Sequence, residues 1–159
     1  MRSEQEANRA VDLYADTVRR LCMIYLKSYD DTEDIFQNVF IKYLLSNIEF
    51  QSSEHEKAWI IRVTINECKD LLKNFFRSKS VPLAEIKELP ADMSAESANV
   101  LEAVMQLPPK YKDVIYLYYY EGYTADEIGK MLNRRTNTVY TQLARARAAL
   151  KERLGDEFE

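Results

Sequence analysis

The stretch YTADEIGKMLNRRTNTVYTQLARARAAL, residues 123–150, spells two helices separated by a short polar break. Thr124 is a capping residue with Glu127 three positions later, so each side chain can satisfy a backbone N–H that the helix leaves without a partner. Tyr123 and Ile128 occupy the two positions of a hydrophobic staple, and Gly122 lets the chain turn into the cap. Ile128, Met131 and Leu132 form the apolar face of the first helix, and Asn133 and Arg134 supply the break. In the second helix Val139, Leu143, Ala146 and Leu150 recur at helical spacing and form one stripe against the first. The unit is a helix-turn-helix, whose second helix enters the major groove of DNA.

At about 100° per residue, the side of that helix opposite the stripe carries Arg134, Asn137, Thr138, Thr141 and Arg145, with Tyr140 and Arg147 on a flank. No carboxylate interrupts the set. Hydroxyls and an amide reach base edges, and a guanidinium grips guanine or phosphate with two parallel hydrogen bonds. A merely solvated face would favour Lys, Glu or Gln, because Thr and Asn are poorer helix formers.

Composition agrees with a helical chain. Three Gly and four Pro in 159 residues, with no alternating β-branched run, favour an all-α protein. Apolar runs are too short to span a membrane and no signal-peptide pattern opens the sequence, so a soluble, cytoplasmic protein is expected. Cys22 and Cys68 lack zinc-site or disulfide-framework spacing and are expected as reduced core thiols. The net charge of −4 is unexpected for a protein that binds DNA unaided. Its distribution is uneven, with seven basic residues against one acid from Lys130 to Arg153 and three acids in the last four residues. A basic patch in an acidic chain limits affinity for DNA until a partner assists.

Upstream, residues 4–28 carry Val11, Tyr14, Val18, Leu21, Cys22 and Tyr25 on one helical stripe. Tyr29 to Thr32 interrupt it, and Asp31 or Thr32 can cap a second helix bearing Ile35, Phe36, Val39, Phe40, Tyr43 and Leu44. Ser46 to Ser53 reads as a loop. A third helix from about Glu54 to Phe76 would bury Trp59, Ile60, Val63, Leu71 and Phe75, leaving Arg62, Asn66, Lys69, Asp70 and Lys73 outward. His55 reads as a surface residue at its start. Residues 78–98, rich in small and acidic side chains with Pro82 and Pro90, read as a flexible linker between two small helical domains, 1–77 and 99–159. In the second, Val100, Leu101, Val104, Met105 and Leu107 form a helix stopped by Pro108 and Pro109. Another covers Lys112 to Glu121, with Val114, Ile115, Leu117 and Tyr118 as core and the remaining tyrosines at the surface or an interface.

Three segments in order make the whole chain resemble the extracytoplasmic-function sigma factors, bacterial transcription initiation factors. They are Asp34 to Phe40 (DIFQNVF), Trp59 to Arg62 (WIIR) followed by Asn66, and Leu107 to Tyr111 (LPPKY) followed by the 124–147 unit. The resemblance implies a region 2 domain that docks on core RNA polymerase through Asp34 and Gln37, with Glu33 and Asn38 beside them. It implies that the loop 46–53, with Phe50, captures a base of the melted −10 non-template strand, and that Arg62, Asn66, Lys69 and Asp70 line the adjacent DNA-facing surface. It implies a region 4 domain that reads −35 promoter double-stranded DNA through Thr138, Thr141 and Arg145, with Arg147 on a phosphate. An anti-sigma factor is a common partner in such a family. The chain departs from the family pattern at Arg135, where a Ser-like cap is usual, so the recognition helix is expected to begin at Asn133 or Thr136. It departs again at Tyr140 and Gln142, where basic residues are common.

Two other readings compete. A stand-alone dimeric helix-turn-helix regulator leaves the segment 34–40 unexplained. A metal-dependent nucleotide hydrolase built on Glu33 and Asp34 lacks a Glu-x-x-His pair and a Gly-rich phosphate loop, and the chain has a single His. No catalytic residue, metal, cofactor or small-molecule substrate is expected.

Overall fold

The computed structural model describes residues 1–26, 28–77, 100 and 102–155, with backbone alone for 75–77. Among these residues there are helices and no strand. The chain divides into two compact units, Met1–Pro90 and Ala91–Glu159. The expected linker, 78–98, lies outside the described residues, as does the side chain of Phe75.

The first unit is a bundle of three helices, α1 (Glu4–Leu26), α2 (Tyr29–Leu45) and α3 (Ser53–Arg77), each packed on the other two. Ser3 starts α1 by accepting the Glu6 N–H at 3.1 Å. Tyr14, Val18, Leu21, Cys22 and Tyr25 are buried as expected, while Val11 is half-buried. All six residues from Leu21 to Leu26 are buried, because the end of α1 is enclosed on every side.

The start of α2 corrects the expectation. Ser28, not Asp31 or Thr32, is the cap: its Oγ accepts the Asp31 N–H at 3.3 Å, and Tyr29 already belongs to the helix. Asp30 and Asp31 then complement the positive end of the helix dipole. Ile35, Val39 and Tyr43 are buried on one stripe. Phe36 and Phe40 pair on its flank at 4.8 Å, with the Arg19 guanidinium 4.2 Å from the Phe36 centroid.

In α3 the buried stripe is rotated from the expected one. Ile60, Ile61, Thr64, Ile65 and Cys68 are buried, whereas Trp59, Val63 and Leu71 are half-buried. A helix seated between two others buries a wider arc than a single stripe, so Ile61 and Ile65 enter the core. The free thiols of Cys22 and Cys68 meet there with sulfurs 3.9 Å apart. Contact with Cys22, together with burial, raises the Cys68 thiol well above its ordinary pKa, which keeps it protonated.

Glu56, also on α3, is a buried carboxylate. Its oxygens accept from Tyr43 Oη at 2.6 Å, Tyr14 Oη at 2.8 Å and both Arg9 terminal nitrogens at 3.1 and 3.3 Å. Burial alone would raise this carboxyl; the hydrogen bonds from Tyr43, Arg9 and Tyr14, with the Arg9 charge, outweigh it and hold the group below its ordinary value. The same contact works in reverse on the phenols, as burial and the hydrogen bond to Glu56 push Tyr43 up to about 12.

The second unit contains a helical turn at 102–105, then α4 (Pro109–Ile115), α5 (Ala125–Leu132) and α6 (Thr136–Leu154). Pro109 occupies the first turn of α4, where a missing N–H costs nothing. The helix then widens into a π turn at Tyr116–Tyr120, closed by the Glu121 N–H on the Tyr116 carbonyl at 3.3 Å. The extra residue per turn shifts the buried face. Val114, Ile115, Tyr116 and Leu117 are core, and Tyr118, expected there, is half-buried.

Candidate nucleic-acid interface

The helix-turn-helix is built from the residues that announced it. Thr124 Oγ1 accepts the Glu127 N–H at 3.1 Å and Glu127 Oε1 accepts the Thr124 N–H at 2.9 Å, a complete capping box. Asn133 ends α5 in the left-handed conformation, φ 57°, and the Arg134 N–H donates to the Gly129 carbonyl at 2.8 Å. A Cβ at position 129 would lie 2.7 Å from the Arg134 carbonyl oxygen, so glycine is what lets the turn close. Helix α6 begins at Thr136, with Arg135 at the cap position and no side-chain cap bond. Val139, Leu143, Ala146 and Leu150 are its buried residues, the expected stripe.

Opposite that stripe, Asn137, Thr138, Thr141 and Arg145 are exposed. They line one concavity of about 290 Å³ together with Gln142 and, from α4, Lys110 and Tyr111. Its walls carry two cations and no carboxylate. Thr141 Oγ1 donates to its own helix at the Asn137 carbonyl, 3.1 Å away, so its proton is committed and its oxygen is left to accept. Lys110 and Tyr111 belong to the LPPKY segment but were not expected on this surface, because only the fold brings α4 alongside α6.

Two expected DNA contacts are placed differently. Arg134 is largely enclosed, its side chain 17% exposed, and its fork is spent on the fully buried Asp113 at 2.7 and 3.0 Å. Its Nη1 also donates to Gln142 Oε1 at 3.0 Å and to the Lys110 carbonyl at 3.4 Å, so Arg134 ties α4 to the recognition helix. Arg147 lies over Tyr118 and Tyr119, 5.3 and 5.5 Å from their centroids, and its Nε donates to Tyr119 Oη at 2.5 Å.

In the first unit Asp34, Gln37 and Asn38 are exposed on α2, while Glu33 is half-buried and paired with Arg19 at 3.5 Å. Arg62, Asn66, Lys69 and Asp70 are exposed along one face of α3. Phe50 is half-buried in an aromatic cluster, with centroids 5.2 Å from His55, 5.7 Å from Trp59 and 6.2 Å from Tyr43. His55 is exposed at the start of α3 and its Nδ1 accepts the Gln51 N–H at 3.2 Å. No described helix is long and apolar enough to cross a membrane.

Comparison with known proteins gives a consistent result. The family description "Sigma-70 region 2" matches residues 10–77 and "Sigma-70, region 4" matches residues 97–150. The ECF RNA polymerase sigma factor SigW of Bacillus subtilis is 29% identical, over 92% of this chain and 87% of that protein. The RNA polymerase sigma factor SigV of the same organism is 30% identical, over 87% of this chain and 84% of its own length. In fold, the chain is similar to the sigma factor RpoE from Bartonella quintana, solved in complex with the anti-sigma factor NepR. The TM-score there is 0.79 at 18% identity, covering 96% of this chain and 99% of that one.

Proposed function

The chain belongs to the sigma-70 family of RNA polymerase sigma factors, in its extracytoplasmic-function branch, and on that premise we propose how its residues divide the work of promoter recognition. It is a sigma factor that directs transcription initiation. We assign region 2 to residues 1–77, the linker to 78–98 and region 4 to 99–159.

Region 4 reads the −35 element by laying α6 in the major groove. Arg145 offers two-point recognition of guanine, Asn137, Thr138 and Thr141 address neighbouring base edges, and Arg147 swings from its tyrosines to a phosphate. Arg134 serves this surface by positioning it. Region 2 docks on core polymerase through Asp34 and Gln37, flanked by Glu33 and Asn38. Phe50 and the α3 face of Arg62, Asn66, Lys69 and Asp70 receive the melted −10 strand. Extracting a base costs a few kcal/mol of stacking, which an apolar wall with nearby hydrogen-bonding groups offsets.

The observation that carries this reading is the carboxylate-free concavity on α6 in a chain of net charge −4. Such a surface discriminates sequence but supplies little non-specific grip, which polymerase core provides. The factor contributes no chemistry of its own and acts in the cytoplasm, where polymerase and chromosome are, with an anti-sigma factor as the expected restraint. Runoff transcription with purified core polymerase on fragmented genomic DNA tests this. Transcripts from a discrete promoter set that depend on the added protein are expected; identical output with and without it would refute the assignment.

A further inference from the structure

Arg2 precedes α1, and no periodicity or motif marks it, yet its side chain is only 13% exposed. Its backbone N–H donates to the Leu44 carbonyl at 2.8 Å. Its Nε donates to the Tyr43 carbonyl and to Ser46 Oγ, each at 3.2 Å, and its Nη2 donates to the Ile48 carbonyl. The guanidinium also lies 4.6 Å from the Tyr43 ring centroid and 5.0 Å from that of Phe50.

These contacts fall on one structural problem. The last carbonyls of α2 sit at the negative end of its dipole, and Tyr43's, besides the Ser46 N–H at 3.1 Å and the Ser46 hydroxyl at 2.9 Å, takes the Arg2 guanidinium. The segment 46–52 that follows has no regular secondary structure to hold it. One planar fork from a residue more than 40 positions away occupies the helix end, the start of the loop and the loop carbonyl at Ile48, while its face supports Phe50. A lysine could keep the charge but not span these acceptors, because an ammonium is a point charge on a flexible stem.

We infer that Arg2 is a positioning residue for single-stranded DNA recognition: it fixes the conformation in which residues 46–52 present Phe50, packed near Trp59 of α3, to an extruded nucleobase. This rests on the reading above that the 46–52 loop receives a base. Arg2 acts through the loop and touches no nucleotide itself.

The test uses the full chain bound to core polymerase. The probes are single-stranded oligonucleotides from the −10 region of a promoter that the wild-type holoenzyme transcribes, each with one abasic site. In the wild type, removing the captured base should weaken binding about tenfold. In Arg2→Ala that ratio should fall towards one, with binding to a −35 duplex and association with core unchanged, and Arg2→Lys should recover only part of it. Phe50→Ala serves as the reference for a disabled loop. A tenfold ratio kept in Arg2→Ala but lost in Phe50→Ala would overturn the role of Arg2 alone. Loss of −35 binding or core association together with the ratio would also overturn it, by showing general unfolding. A flat abasic profile in the wild type would refute base capture by this loop, and the Arg2 assignment with it.

Discussion

The guanidinium of Arg134 and the carboxylate of Asp113 form a two-point ion pair at 2.7 and 3.0 Å, although Arg134 lies in the turn between α5 and α6 and Asp113, in α4, is fully buried. The sequence places Arg134 on the DNA-reading side of the helix-turn-helix, while its geometry makes it a strut beneath that side. A buried carboxylate that loses its countercharge is costly, so Arg134→Ala should destabilise the region 4 unit by about 3–5 kcal/mol. Denaturant unfolding checks this. A variant of unchanged stability that loses only promoter affinity would return Arg134 to direct contact.

Arg145 and Arg147 should separate by the kind of affinity they lose. Arg145→Ala is expected to cost about 1–3 kcal/mol on the preferred promoter and to relax preference at one base pair. Arg147→Ala should weaken all sequences alike and reduce the salt slope by about one. Holoenzyme binding to −35 duplexes at several salt concentrations distinguishes the two patterns, and identical effects from both variants would contradict the assignment.

The turn between α5 and α6 gives a pair of opposite sign. Gly129→Ala forces a methyl to 2.7 Å from the Arg134 carbonyl and should destabilise by about 1–3 kcal/mol, through overpacking against backbone. Asn133→Gly removes a side chain from a left-handed position and should be neutral or stabilising by up to about 1 kcal/mol. Thermal unfolding of the two variants reads both signs.

The Glu56 cluster predicts acid sensitivity with a defined direction. Its folded pKa is lowered from the ordinary 4.5, so its contribution is complete above that value and is lost as pH falls through the lower folded one. The stability gap between wild type and Glu56→Gln should therefore be constant at neutral pH and shrink below about 4.5. Urea titrations over an acid series measure the gap; a gap that widens on acidification would be the wrong sign.

In the first unit, Gln37→Ala should reduce association with core polymerase without lowering the unfolding midpoint, because Gln37 is exposed. Co-purification with core at equal protein levels is the measurement. Undiminished recovery would count against docking through this face.

The recognition unit was legible because its information is local: the capping box, the turn and the Val139 to Leu150 stripe all lie within a few residues of what they control. Membership of the family disfavours a stand-alone dimeric regulator, because both sigma regions occur in order along the chain. What escaped the sequence depends on distant neighbours. Ile61 and Ile65 enter the core because α3 is wedged between two helices, and Tyr116 replaces Tyr118 because a π turn shifts the phase. Asp113 stands 21 residues before Arg134, and Tyr43 stands 41 after Arg2, separations that no periodicity encodes.

Oily surfaces tolerate sliding, whereas the Glu56 carboxylate does not. It draws Arg9 and Tyr14 from α1 and Tyr43 from α2 onto two oxygens of α3, and each bond has a direction as well as a length. The three rods are thereby indexed to one rotational setting. Those four side chains are consequently expected to drift through evolution together, since replacing any one strands the others.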